Sequence, residues 1–106
     1  MTDRVDTVFS ALADPTRRRV LDEIGRRGAA TATELAADLP VTRQAVAKHL
    51  GILADAGLVD ARRTGRETRY RVTPEPLGDA IGWMARVGAE WDERLARLQA
   101  FTTSRR

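Results

Sequence analysis

The sequence predicts a mainly helical fold with one small β-hairpin: about five helices and two strands. Three observations predict it. Apolar residues recur at helical spacing in separate blocks, each bounded by cap and stop residues. Only the stretch 58–72 switches to a period of two, around a Thr64-Gly65-Arg66 turn. The region from Glu75 to about Ala100 then carries a long apolar stripe at helical spacing. A chain of 106 residues is sized for one domain, 1–106. Its core is thin enough that a partner chain is expected to share the burial.

The elements follow in order. The first helix begins near Asp3, with Val5, Val8, Phe9 and Leu12 on one face. Asp14 caps a second helix and Pro15 takes its first position, where a missing N–H costs nothing. Val20, Leu21 and Ile24 face inward there, and the stretch Gly25 to Gly28 ends the helix. Thr31-Ala-Thr-Glu34 is a capping box opening a very short third helix, with Leu35 and Leu39 inward and Pro40 as its stop. Pro40-Val41 makes a tight turn into a fourth helix capped by Thr42. Val46, Leu50 and Leu53 form its core face, and Gly57 ends it. Leu58 and Val59 open the first strand, and Thr68, Tyr70 and Val72 alternate on the second. Two helices joined by a tight turn and followed by a hairpin make a winged helix-turn-helix.

The outward face of the fourth helix carries Gln44, Ala47, Lys48 and Gly51. A DNA major groove about 12 Å wide admits one helix and is read by short polar side chains. Gln pairs bidentately with adenine, Lys with guanine, and an Ala methyl meets the thymine methyl. The hairpin adds Arg62, Arg63, Arg66, Arg69 and Arg71, placed to reach phosphates or a minor groove. Residues 40–72 hold seven basic side chains against Asp55, Asp60 and Glu67, a net of +4, whereas the chain as a whole carries +3. The positive charge is therefore localised on this helix and hairpin, the electrostatic footprint of a nucleic-acid binder. Lys48 is the only lysine, so position of charge carries more weight here than the choice of Arg. A winged helix used only as a protein-interaction module is the alternative. The basic wing and the outward Gln44 and Lys48 argue against it.

The last helix places Leu77, Ala80, Ile81, Met84, Val87, Gly88, Trp91, Leu95, Leu98 and Phe101 on one stripe. It exceeds what so small a domain can cover. Its Met84, Trp91, Leu95 and Leu98, with Val5, Val8, Phe9 and Leu12 of the first helix, are expected to form a homodimer seam. Trp83 flanks the stripe as a half-buried dimer contact.

Other chemistries find little footing. No cysteine is present, which excludes disulfides and thiolate metal sites. His49 is the only histidine and reads as a structural residue at the helix edge. The serines Ser10 and Ser104 sit in terminal segments, and no Gly-rich phosphate loop or paired carboxylates suggest an enzyme. Arg17, Arg18 and Arg19 lie among Asp14, Asp22 and Glu23, where local salt bridges are expected. No apolar run approaches the roughly 20 residues of a membrane span, and no signal peptide opens the chain, so a cytoplasmic location is expected.

These residues together resemble the ArsR family of bacterial winged-helix repressors. The matching words are Ala13-Asp-Pro-Thr-Arg17-Arg-Arg-Val-Leu21, Glu34-Leu-Ala, Ala45-Val-Ala-Lys-His-Leu50 and Leu53-Ala-Asp-Ala-Gly-Leu-Val59. The wing matches as Arg62-Arg-Thr-Gly65-Arg66 and Tyr70-Arg-Val72. The ending Trp91-Asp-Glu-Arg-Leu95-Ala-Arg-Leu98 resembles a subgroup with a tryptophan-bearing last helix. The resemblance implies a homodimer on a palindromic operator, and repression usually relieved by a small effector of unknown identity. It places DNA contacts on Arg43, Gln44, Ala47 and Lys48, with Arg66 at the wing tip. Relatives often carry Ser where this chain has Ala47, so base preference is expected to differ there. Many relatives sense metals through a Cys-x-Cys pair near the third helix, where this chain has Glu34-Leu-Ala-Ala37-Asp38. Others use Asp and His on the last helix, which here offers Asp79, Glu90, Asp92 and Glu93 without a histidine. Carboxylates alone suit hard cations. No metal or cofactor is expected.

Overall fold

The computed structural model describes residues 3–104, with side chains as far as residue 101, so the Ser104 side chain lies outside the described set. The element order is α1 (Arg4–Leu12), α2 (Pro15–Arg27), α3 (Ala32–Asp38), α4 (Arg43–Asp55), β1 (Val59–Thr64), β2 (Glu67–Val72) and α5 (Glu75–Ser104). The strands pair antiparallel, Val59 opposite Val72 and Thr64 opposite Glu67. An isolated bridge between Ala30 and Tyr70 fastens β2 to the α2–α3 connection, giving the hairpin a third short edge. The protein has the winged helix-turn-helix fold.

Local chemistry sets each boundary. The Asp14 carboxylate accepts the backbone N–H groups of Thr16 and Arg17 at 2.8 and 3.1 Å. The capping box of α3 is complete: Thr31 Oγ1 accepts the Glu34 N–H at 3.1 Å, and Glu34 Oε1 accepts the Thr31 N–H at 2.9 Å. Thr42 Oγ1 accepts the Ala45 N–H at 3.1 Å. At the end of α4, Gly57 takes φ +76°, and the Leu58 N–H reaches back to the Leu53 carbonyl at 2.9 Å. That six-residue closure suits glycine, because a Cβ would strain the left-handed turn. The wing turn needs only two residues, with positive φ at Gly65 alone.

Two boundaries differ from the sequence reading. Helix α2 runs through Gly25 and stops only at Gly28, whose φ is +84°. Glycine costs a helix interior only about 1 kcal/mol, and the arginines after it continue the turn. Helix α5 extends past Ala100 to Ser104.

The core is built by Val8, Val20, Ile24, Leu35, Val46, Leu50, Leu53 and Leu58, all fully buried. Val8 is thereby reassigned: expected in a dimer seam, it lies wholly inside its own protomer. Phe9 and Leu12 also pack against this core and are partly buried, and Val5 is half-buried. Helical geometry turned α1 onto α5 and α2, so its stripe serves mainly its own chain. The apolar surface left exposed belongs to α5: Ile81, Trp83, Met84, Trp91, Leu95, Leu98 and Phe101. Trp83 stands edge-on to Phe9, ring centres 5.5 Å apart, joining α5 to α1 within the protomer. Arg4 and Asp79 pair across the same two helices at 3.3 Å.

Removing one half of the α3 capping box tests this account of the boundaries. Thr31→Ala should lower unfolding free energy by about 0.5–2 kcal/mol in urea denaturation, because the Glu34 N–H loses its acceptor. Unchanged stability would show that the box contributes nothing to α3.

Candidate nucleic-acid interface

Helix α4 has two chemically distinct faces. Val46, Leu50 and Leu53 are fully buried and fix its rotation about its own axis. Gln44, Ala47, Lys48 and Gly51 consequently point outward, and all four are exposed, as are Thr42 and Arg43. Gly51 has no atom within 4 Å of where a Cβ would stand, so the outer surface of the helix is open there. The side chains expected from the sequence to read DNA therefore share one accessible face.

The wing lies beside that face. A cleft of about 480 Å³ runs between the start of α3, α4 and the hairpin, lined by Thr31, Glu34, Arg43, Ala47, Arg66 and Tyr70. Arg43 on α4 and Arg66 at the hairpin tip bring positive charge to it from opposite sides.

The hairpin arginines are not equivalent. Arg62 pairs with Asp60 at 3.3 Å, and Arg63 donates to the Gly65 carbonyl at 3.3 Å. Arg69 is engaged twice, with Glu34 at 3.4 Å and Glu67 at 3.1 Å. Among the described residues, no carboxylate lies within ion-pair distance of Arg43, Lys48 or Arg66. Arg71 of β2 likewise has no carboxylate within that distance, so the uncommitted cations are those on the recognition helix, at the wing tip and at Arg71, while Arg69 is tied to the body of the protein.

Glu34 is the residue that sequence reasoning undervalued. It closes the α3 capping box, holds Arg69 of β2, and lies 4.0 Å from Arg27 at the end of α2. Its carboxyl sits below the ordinary value chiefly because it accepts the Thr31 N–H, with Arg69 and Arg27 adding to the effect. A lowered folded-state pKa means that this contribution is complete above the ordinary value of 4.5 and disappears as pH falls through the lower folded value. The box was visible in four consecutive residues. Its link to the wing joins positions 35 apart, which no local pattern reveals.

One further expectation needs adjustment. Arg17 and Arg18 act mainly as caps of α1: Arg17 Nε donates to the Ala11 carbonyl at 2.7 Å, and Arg18 donates to the Leu12 carbonyl. Arg17 also lies 4.0 Å from Asp14, but Glu23 pairs with Arg26 and Arg27 and not with the earlier arginines. His49 is half-buried at the helix edge, and its Nδ1 is buried without a hydrogen-bond partner among the described residues.

Comparison with known proteins agrees with this geometry. A family described as a helix-turn-helix domain matches residues 12–62. The chain is 43% identical to the uncharacterized HTH-type transcriptional regulator YuzN of Bacillus subtilis, over 79% of this chain and 99% of that protein. It is 34% identical to the transcriptional repressor SdpR of the same organism, covering 76% and 88% of the two chains. An ArsR-like transcriptional regulator from Rhodococcus sp. RHA1 superposes with a TM-score of 0.81 at 45% identity, covering 92% of each chain. A homodimeric winged helix-turn-helix DNA-binding domain of Mycobacterium bovis, Mb0332, superposes with a TM-score of 0.64 at 31% identity, covering 88% of this chain and 82% of that one. An exposed polar recognition face, a basic wing beside it and these relatives lead to one assignment: the chain belongs to the ArsR family of winged helix-turn-helix transcriptional regulators, and is a DNA-binding transcriptional regulator.

Proposed function

We propose that the protein is a homodimeric repressor that occupies a palindromic operator through paired α4 helices. The observation that carries this reading is the exposed row Gln44, Ala47 and Lys48 on a helix whose opposite face is wholly buried. Arg43 and Thr42 extend that row towards the phosphate backbone at the helix start. A single helix and wing make few contacts. Joining two makes the second engagement effectively intramolecular. The exposed stripe of α5 supplies surface for that joining, and fully burying a Leu side chain contributes about 1.5–3 kcal/mol. The relatives described as a repressor and as a homodimer support the same reading. An operator on chromosomal DNA places the protein in the cytoplasm. No helix among the described residues is long and apolar enough to cross a membrane.

The division of labour follows from which cations are uncommitted. Gln44 and Lys48 read bases; Arg43 and Arg66 meet phosphates; Arg62 and Arg63 line the wing edge with their charge partly committed. Arg69 contributes less to DNA than its charge suggests, because two carboxylates already hold it.

Selection of bound genomic fragments at rising salt tests the proposal. One inverted repeat should be enriched, and affinity should fall steeply with salt as phosphates release counterions. Equal binding to all fragments, or none at low salt, would favour a protein-interaction module instead.

The cations can be separated on the recovered operator. Gln44→Ala or Lys48→Ala should cost about 1–3 kcal/mol and relax preference at particular base pairs. Arg66→Gln should flatten the salt slope by about one phosphate per half-site, whereas Arg69→Gln should leave it unchanged. A flattened slope for Arg69→Gln with none for Arg66→Gln would reverse these roles.

A further inference from the structure

The cleft between α3, α4 and the wing has the size of a ligand site. Its volume of about 480 Å³ falls within the roughly 300–1,000 Å³ typical of small-molecule pockets. Its charges are unequally engaged. Glu34 and Glu67 line it, and both carboxylates already pair with Arg69, at 3.4 and 3.1 Å. Arg43 and Arg66 line it with no carboxylate within ion-pair distance among the described residues. The unanswered charge in the cleft is therefore positive, and it enters from two walls, one on α4 and one at the hairpin tip. Hydroxyls are unanswered as well. Thr33, Thr68 and Tyr70 line the cleft, and among the described residues their hydroxyls make no hydrogen bond.

We propose that this cleft binds a small organic phosphate, and that the ligand takes the place of a phosphate of the DNA backbone. Binding stands on the cleft alone, whereas displacement of DNA rests on the operator reading above. The direction of the charges favours phosphate over carboxylate. Two guanidinium forks entering from opposite walls need an acceptor whose oxygens face more than one way. A carboxylate offers two oxygens in one plane. A phosphate monoester offers three in a tetrahedral array, with a charge of about −1.5 to −2 at neutral pH. The free hydroxyls can donate to the oxygens that the arginines leave over. Ala32, Ala47 and the Tyr70 ring supply apolar lining for the carbon body of the ligand.

The consequence is a regulator relieved by competition. Arg43 and Arg66 cannot answer a ligand phosphate and a backbone phosphate at once. An occupied cleft therefore lowers operator affinity by mass action, with no rearrangement of the dimer required.

Phenyl phosphate serves as the probe, titrated at fixed ionic strength into the free, isotope-labelled protein and followed by NMR. The backbone N–H signals of Thr33, Arg43, Arg66 and Thr68 should shift saturably, with one phosphate bound per chain. Phenol at the same concentration should leave them in place, since it lacks the anion. Arg43→Gln and Arg66→Gln should each weaken binding at least about tenfold, and Tyr70→Phe about threefold, because hydrogen bonds to a charged group outweigh that of a single neutral hydroxyl. Arg19→Gln removes an exposed arginine of α2 that lies outside the cleft, and should leave binding unchanged. Shifts that never saturate, or equal weakening by Arg19→Gln, overturn the site in favour of diffuse attraction. No saturable binding by a chain that still binds operator overturns it too, and leaves the cleft to the DNA backbone alone. On the recovered operator, phenyl phosphate should raise the apparent Kd in proportion to its concentration, beyond the effect of sodium chloride at equal ionic strength. A protein that holds phenyl phosphate and operator together at undiminished affinity overturns the displacement. If no operator is enriched, the failure lies with the repressor reading, and the titration of the free protein still decides the cleft.

Discussion

The burial of Val46, Leu50 and Leu53 is the constraint on which the remainder depends. These three side chains are fully enclosed by the surrounding elements and leave α4 one possible rotation about its axis. Everything that can meet a base edge follows from that rotation. Had the apolar row been displaced by one residue, the helix would turn by about 100° and Gln44 and Lys48 would leave the outer face. The caps at Thr42 and Gly57 fix where the helix begins and ends, but it is packing that aims it.

The wing is held to the same frame by polar means. Tyr70 bridges to Ala30 through two backbone hydrogen bonds of 2.9 and 3.1 Å, and Arg69 is clasped by Glu34 and Glu67. Partly exposed ion pairs of this kind contribute modestly to stability, since water screens them. Their value here is positional. They fix the base of the hairpin against α3, so that the tip, with Arg66, sits at a defined distance from Arg43 across the cleft. Charge is thus unevenly committed along the hairpin: Arg62 and Arg69 are paired with carboxylates, and Arg66 at the turn is not.

Much of this was legible in the sequence, and the reasons are physical. Helix caps are local, four-residue chemistry, so Asp14, Thr31 and Thr42 could be assigned from their neighbours alone. The alternation on β2 and the glycine turn identified the hairpin equally locally. The outward row of α4 followed once its core row was recognised, because helical periodicity ties the two faces together. What remained hidden depends on contacts between distant positions. The first helix shows an apolar stripe whichever chain it packs against, so the sequence placed Val8 at an interface when it lies in the core. The arginines of the hairpin look alike until Glu34 is found beside Arg69. Trp83 could not be assigned to Phe9 before α1 and α5 were seen side by side.

The proposed repression requires two α4 helices presented together at a fixed separation. The most direct measurement uses operator duplexes in which base pairs are inserted between the two half-sites. Five added base pairs turn one half-site to the far side of the duplex, since a full turn takes about 10 base pairs. Fluorescence anisotropy should then report a large loss of affinity, approaching that of a single half-site. Affinity that is indifferent to the insertion would contradict the account, because each copy would then be reading DNA alone.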